Sequence, residues 1–218
     1  KFGGDALLLF FSGDDHAVNA ASAAVEMRQA LRKAAEIPTS VGPLKLSMSV
    51  GLHTGDVHFF LVGSTHRELV LLGPAANAVV AVENAANAGQ ILVSTATAEV
   101  LPAAATRPRE DGELLLRWRK APIPAPGFPP PREVPDELLR SLFPQALGEF
   151  LQHGVPEPEH RIACMAFAKF SGTDAMLAEQ GPDALADALD EMIGHAQVCL
   201  AEHGITLLAV DVDKDGGK

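Results

Sequence analysis

The sequence predicts an α+β fold, helices packed on a sheet, in two units separated by a proline-rich linker. Two observations predict it. Apolar residues switch along the chain between the short runs and period-two alternation of strands and the wider-spaced stripe of helices. Residues 121–136, APIPAPGFPPPREVPD, hold too much proline for a helix or a central strand. A length of 218 residues allows one or two domains. The boundaries fall at 1–119 for a first domain, 120–158 for the linker with a short helix, and 159–218 for the opening part of a second domain.

In the first unit, residues 6–11 form a continuous apolar run, predicted as a buried strand. Ser12, Gly13, Asp14 and Asp15 make a turn with a carboxylate able to cap the next helix. That helix extends to about residue 35, with Ala20, Ala24, Met27, Leu31 and Ala34 facing inward and Arg28, Arg32 and Lys33 facing water. Residues 44–50 alternate apolar and polar, as a half-buried strand does. Residues 57–62 and 68–72 read as a hairpin around Gly63-Ser64-Thr65-His66. Pro74 opens a second helix at its first position and Gly89 ends it. Residues 91–93 and 114–118 complete the unit as strands.

After an amphipathic piece at 138–151, the second unit begins with a strand at 161–168 and a loop at 169–174. Pro182 starts a long helix with Leu185, Leu189, Met192, Ala196 and Leu200 on one face, and a strand follows at 205–210. The chain opens on Lys1 directly before a turn and strand and stops at Lys218 after another, so a fragment of a longer protein is expected.

Composition narrows the function. Hydrophobic residues at 47% support a core, and 21% charged residues exclude a disordered chain. A formal net charge of -11 argues against unaided binding to nucleic acid or an anionic membrane, so an anionic ligand needs a metal or a few placed Lys and Arg. Cys164 and Cys199 show no ligand spacing and, in apolar surroundings, read as buried core thiols. With no apolar run long enough to span a membrane and no signal peptide, a cytoplasmic protein is expected.

Asp5 follows two glycines and precedes a strand. That setting suits either a tight-turn aspartate or a metal ligand at a strand edge, where glycines such as Gly4 let a phosphate or metal approach the backbone. His53 and His58, on opposite faces of a strand-turn-strand stretch, do not suit one metal, and His160, His195 and His203 read as surface or capping groups. Asp211, Asp213 and Asp215 share a face if extended, as a solvated turn or a cation site. Arg161 reads as a surface charge before a phosphate contact.

The segments SVGLHTGDVHFFLVGS, residues 49–64, and RELVLLGPAANAVVAVENAANAGQILVS, residues 67–94, resemble the class III adenylyl and guanylyl cyclases. The family pattern falls on Gly51, His53, Gly55, Val62, Gly63, Gly73, Asn77, Gly89, Ile91, Val93 and Ser94, in order, within a match over 1 to about 119. RIACMAFAKFSGTD and LLAVDVDKDGGK resemble the start of a second cyclase domain, with the closing KDGGK against the opening KFGGD. The layout resembles tandem bacterial and soluble adenylyl cyclases, whose unlike domains pair head to tail. The resemblance implies ferredoxin-like βααββαβ domains, the first nearly complete and the second truncated. It implies conversion of ATP to cyclic AMP and pyrophosphate with two Mg or Mn ions, and downstream ATPase or regulatory modules as further partners.

Carried over residue by residue, Asp5 matches the second metal aspartate, while the first lies upstream of Lys1. Asn77 matches the ribose-orienting asparagine, but the transition-state arginine position is Ala81, and the position after Gly73 that often selects the purine is Pro74. In the second unit the metal positions are Lys169 and Lys218, which repel a cation, while Lys214 keeps the purine-contacting lysine. The expected arrangement is one composite site, joining Asp5 to Lys214 and to an asparagine and arginine past Lys218, and one dead pseudosite. Lys1 matches the lysine that binds bicarbonate in soluble adenylyl cyclases, but Val80 stands at the matching arginine, which puts bicarbonate control in doubt. The substitutions Ala81, Lys169 and Lys218 also suit a catalytically silent regulatory or dimerisation module. A diguanylate cyclase ranks last, because Ala6 and Leu7 stand where its signature needs acidic and aromatic residues.

Overall fold

The computed structural model describes residues 2–3, 6–34, 36–40, 42–122, 132–145, 147–148, 162, 164–210, 212–213 and 216–217. In chain order the elements are β1 (Phe2–Gly3), β2 (Ala6–Leu7), α1 (His16–Ala34), β3 (Glu36–Thr39), β4 (Gly42–Lys45), β5 (Val50–Leu52), β6 (His58–Val62), β7 (Glu68–Leu72), α2 (Pro74–Asn84), β8 (Ile91–Val93), α3 (Thr95–Val100), β9 (Thr106–Pro108) and β10 (Leu114–Leu116). They continue as α4 (Asp136–Ser141), α5 (Thr173–Glu202), β11 (Val212–Asp213) and β12 (Gly216–Gly217). This is the mixed α+β architecture of the expected class. The chain forms two compact units, one of Lys1–Asp56 with Asn77–Pro129 and one of Val57–Ala76 with Pro130–Lys218. The hairpin β6–β7, which the sequence assigns to the first domain, therefore clusters with the residues that follow the linker.

The first unit is built on a mixed sheet in the order β5-β8-β10-β9, with β5 parallel to β8 and β10 antiparallel to both neighbours. A parallel pair needs a crossover, and α2 lies between β5 and β8 in sequence to supply it. Ala17, Ala21, Ala24 and Val25 of α1 pack with Ile91, Val93, Leu101, Ala105 and Leu116 to form the core. The predicted face of α1 is thus corrected: Ala24 is buried, but Ala20, Met27 and Leu31 are only partly so. The small side chains at 17, 21 and 24 recur at helical spacing and let α1 come close to the sheet. Arg28 continues that inner stripe rather than facing water, and its Nη2 donates to the Trp118 carbonyl at 2.7 Å. Burial holds the Arg28 pKa below its ordinary value, with Arg32 adding to the effect.

Two glycine and arginine contacts place α2. A β-carbon at Gly51 on β5 would lie 2.7 Å from Glu83 Cα and 2.9 Å from Glu83 Cβ, so the helix rests directly on a strand with no side chain between them. Ser49 Oγ donates to Glu83 Oε1 at 2.6 Å beside it. Past the end of α2, Arg109 Nη1 donates to the Ala85 carbonyl at 3.0 Å and to Gln90 Oε1 at 2.8 Å. The same guanidinium bonds Asp111 through Nε at 2.8 Å, which raises the Arg109 pKa and lowers that of Asp111.

In the second unit β6 and β7 pair antiparallel from His58↔Leu72 to Val62↔Glu68. Phe60, Val62, Val70 and Leu72 from one face of the hairpin pack against Leu185, Leu189 and Ile193 of α5 and against Val210. Helical geometry in α5 breaks at Gly181 (φ 87, ψ 176), and Pro182 opens its longer stretch as predicted. The buried face of that stretch is Leu185, Leu189, Ile193 and Gln197, not the predicted row through Met192, Ala196 and Leu200, and Met192 is exposed. The observed row steps by four residues throughout, so it follows one ridge of the helix along the hairpin.

Several strand expectations are corrected. Only Ala6–Leu7 of the run at 6–11 is a strand, paired with β1, and Leu7, Leu9 and Phe10 are exposed. Residues 44–50 divide between β4, which pairs with β3 in a hairpin, and the start of β5. Period-two alternation marked the extended backbone there but not the change of partner. Among the described residues of 161–168 and 205–210 there is no strand, and Ile162, Met165, Phe167 and Leu208 are largely exposed. Apolar composition alone does not supply a hydrogen-bonding neighbour. The thiols of Cys164 and Cys199 are exposed rather than buried: Cys164 sits in the first of those segments, and Cys199 is two positions, over half a turn, from buried Gln197. Among the described residues no helix is long and apolar enough to cross a membrane.

Gly51→Ala is predicted to lower stability by about 2 kcal/mol or more, because the Glu83 backbone cannot yield without moving α2. Gly148, with nothing within 4 Å of its added β-carbon, should accept alanine within about 0.5 kcal/mol. Thermal unfolding of the two variants side by side checks this.

Candidate functional site

Of the predicted site residues, Asn77 lies among the described residues, on the first turn of α2 and half-buried. Asp5, Lys1, Gly4 and Lys214 lie outside them, as does Lys218. Gly73, at φ 107, turns the chain from β7 into α2, and its carbonyl accepts from the Ala76 N–H at 3.0 Å. Only glycine takes that backbone without strain, so the β7-Gly-Pro junction fixes where the helix starts. Ala81 is exposed one turn after Asn77 on the same side of the helix, and Pro74 is exposed at its start.

The strands flanking the two glycine motifs differ in register. Gly3 pairs with Ala6 and Phe2 with Leu7, whereas Asp213 pairs with Gly216 and Val212 with Gly217. Aligning KDGGK with KFGGD sets Gly216 against Gly3, yet Gly3 is the last residue of β1 and Gly216 the first residue of β12. Gly3 thus lies in the first strand of its pair and Gly216 in the second strand of its own. Among the described residues no group of three His, Cys, Asp or Glu side chains converges to hold a metal ion.

The glycine–histidine stretch after β5 is tied to the end of β8. His53 Nδ1 lies 2.9 Å from Ser94 Oγ. Ser94 is the N-cap of α3, its Oγ accepting from the Thr97 N–H at 3.2 Å, and its own N–H donates to the Leu52 carbonyl at 2.9 Å. Thr97 is fully buried, its Oγ1 lying 3.3 Å from the Leu52 carbonyl oxygen and 3.2 Å from Thr54 Oγ1, with one proton to give to either. One network thus joins two motif positions, His53 and Ser94, that are far apart in sequence. Thr97 was missed by sequence reasoning; the Ser-Thr-x-Thr cap pattern after residue 93 was the available signal.

A second polar centre lies where α5 meets the β6–β7 loop. Gln197 is buried, and its Oε1 accepts from the N–H groups of Ser64 at 2.8 Å and Thr65 at 3.0 Å. Its Nε2 donates to the His66 carbonyl at 3.0 Å. Asp190 Oδ1 accepts from the Gly63 N–H at 2.9 Å and from Arg67 Nη1 at 2.8 Å, and Ser64 Oγ donates to the Gly194 carbonyl at 3.1 Å. Below the loop, His66 Nε2 lies 3.9 Å from Glu68 Oε2, and Glu68 Oε1 accepts from the Val210 N–H at 2.8 Å.

The adenylate and guanylate cyclase catalytic domain family matches residues 4–123 of this chain. Covering more than half the sequence, that match makes the chain a member of the family. Two solved structures are similar. The guanylate cyclase domain of RhGC from Catenaria anguillulae in complex with GTP is 22% identical, covering 48% of this chain and 58% of that one with a TM-score of 0.40. The guanylyl cyclase Cya2 is 26% identical, covering 53% of this chain and 61% of that one with a TM-score of 0.40. The chain thus spans less than two thirds of either. No curated protein matches significantly.

Burial holds the pKa of His53 below the ordinary imidazole value, and burial does the same for His66 against an upward pull from Glu68. A lowered folded pKa favours the neutral ring. Its contribution to stability is therefore present above the unfolded value, about 6.5, and is lost as pH falls through the folded one. Both rings should titrate below free histidine when followed by NMR; midpoints at or above it would contradict the buried, neutral assignment.

Proposed function

We propose that this chain is part of a nucleotidyl cyclase that converts ATP to cyclic AMP and pyrophosphate at the interface of two tandem cyclase domains. The observation that carries the reading is the family match over residues 4–123, which takes in both Asp5 and Asn77. The pairing of unlike domains is supported by the joining of Val57–Ala76, from the first cyclase segment, with Pro130–Lys218 in one compact unit.

In this reading Asp5 is the chain's carboxylate for a divalent ion, Mg or Mn, and Gly4 leaves room for the phosphates beside it. One carboxylate does not hold an ion pair, so the reading requires a second aspartate from the longer protein. Bound ions of this kind lower the pKa of the ribose 3′-hydroxyl and neutralise the triphosphate. Asn77, on the first turn of α2 after Gly73 and Pro74, carries its ribose-orienting amide to the other composite site, the one that sets Ala81 against Lys169 and Lys218. Lys214 contacts the purine from the second segment, and Lys1 is its counterpart in the first. A cytoplasmic setting and downstream ATPase or regulatory modules belong to the same proposal.

A second reading, a silent cyclase-like module, is favoured by one observation: exposed Ala81 puts no cation where a transition-state arginine is needed. Assay of the full-length protein with ATP and with GTP, in Mg and in Mn, separates the two. Cyclic AMP should form, and Asp5→Ala should lower turnover roughly 100-fold or more with thermal unfolding unchanged. No product from either nucleotide would sink the catalytic reading, and cyclic GMP alone would overturn the choice of purine.

A further inference from the structure

We propose that Gln197, assisted by Asp190, is the recognition element by which the second cyclase segment captures the hairpin of the first. This rests on the reading of two cyclase segments, but not on their activity.

The loop at 63–66 presents consecutive main-chain N–H groups, and a turn of this kind ordinarily leaves such donors to water. Here three of them are answered by side chains of α5: Gly63 by Asp190, and Ser64 and Thr65 by one oxygen of Gln197. The other end of the Gln197 amide is used as well, on the His66 carbonyl. The fit is reciprocal. Gly63 has φ 114, and a β-carbon there would lie 2.7 Å from Gln197 Nε2, so no side chain can stand between loop and helix. Gly194, one turn earlier on α5, accepts from Ser64 Oγ through its carbonyl at 3.1 Å.

The apolar face beneath, Phe60, Val62, Val70 and Leu72 against Leu185, Leu189 and Ile193, supplies area without direction. Apolar packing alone tolerates a shift of the helix along the hairpin. A buried amide that answers two N–H groups and a carbonyl does not, because any shift leaves them unsatisfied. The exposed Arg67–Asp190 ion pair adds little by itself. Gln197, 3% exposed, carries the selectivity.

The test uses the whole chain with a protease site placed in the proline cluster at 123–131, so that cleavage severs the covalent link between hairpin and α5. The halves of the unmutated protein should stay associated through gel filtration. Gln197→Ala with Asp190→Ala should weaken association roughly 10- to 100-fold, while circular dichroism before cleavage stays that of the parent. Asp190→Ala alone should have a smaller effect than Gln197→Ala alone. Separation of the unmutated halves, or undiminished association of the double variant, overturns the proposal. So does exchange of halves between tagged and untagged intact chains, which would make a second copy the preferred partner. Cyclase assay of the same preparations is independent: absent activity with intact association removes the catalytic reading and leaves this one standing.

Discussion

One side-chain amide, Gln197, organises the second unit. Its oxygen takes the N–H groups of Ser64 and Thr65, and its nitrogen serves the His66 carbonyl in a buried bond. The arrangement sets the register of α5 along the hairpin, and the register decides which residues form the core. Leu185, Leu189 and Ile193 share the row of Gln197, and that row meets Phe60, Val62, Val70 and Leu72. Glu68, beside His66, carries the order onward by holding the Val210 N–H. Apolar area provides most of the stabilisation, and the polar contacts choose one packing among several of similar area.

The first unit depends on an absence instead. Gly51 has no side chain where α2 crosses β5, and Glu83 fills the space. Beside this contact, His53 and Ser94 join the ends of two parallel neighbours, β5 and β8, and Ser94 also caps α3. The family signature around Gly51, His53 and Ser94 is therefore a set of packing and hydrogen-bonding requirements. These residues build the platform that carries α2, and Asn77 stands on the first turn of that helix. A residue can belong to a catalytic family's signature and still act only by holding another in place.

Strong local signals made much of the fold legible in the sequence. The β6–β7 hairpin, the start of α2 at Pro74, β8 and the renewed helix at Pro182 follow from turn glycines, prolines and periodicity. The inner faces of α1 and α5 did not follow, because alanine-rich helices offer more than one apolar stripe and tertiary contacts select among them. Ala17 and Ala21 gave no weight to their stripe, and the polar Gln197 hid the end of the other. The runs at 6–11, 161–168 and 205–210 are apolar enough for strands, but a strand requires a partner, which composition does not reveal. Of the candidate site residues, Asn77 alone is described, on the first turn of α2, where Gly73 and Pro74 put the helix start. Gln197 and Thr97 were not legible, since each acts on backbone groups brought near only by folding.

Amide hydrogen exchange at Ser64 and Thr65 in the intact chain tests the central claim, that α5 holds this hairpin through its loop. Both amides should exchange as slowly as the paired amides of β7, and Gln197→Ala should release these two while leaving the amides of β8 and β10 unchanged. Exchange of Ser64 and Thr65 at the rate of an exposed loop in the unmutated chain would contradict the account.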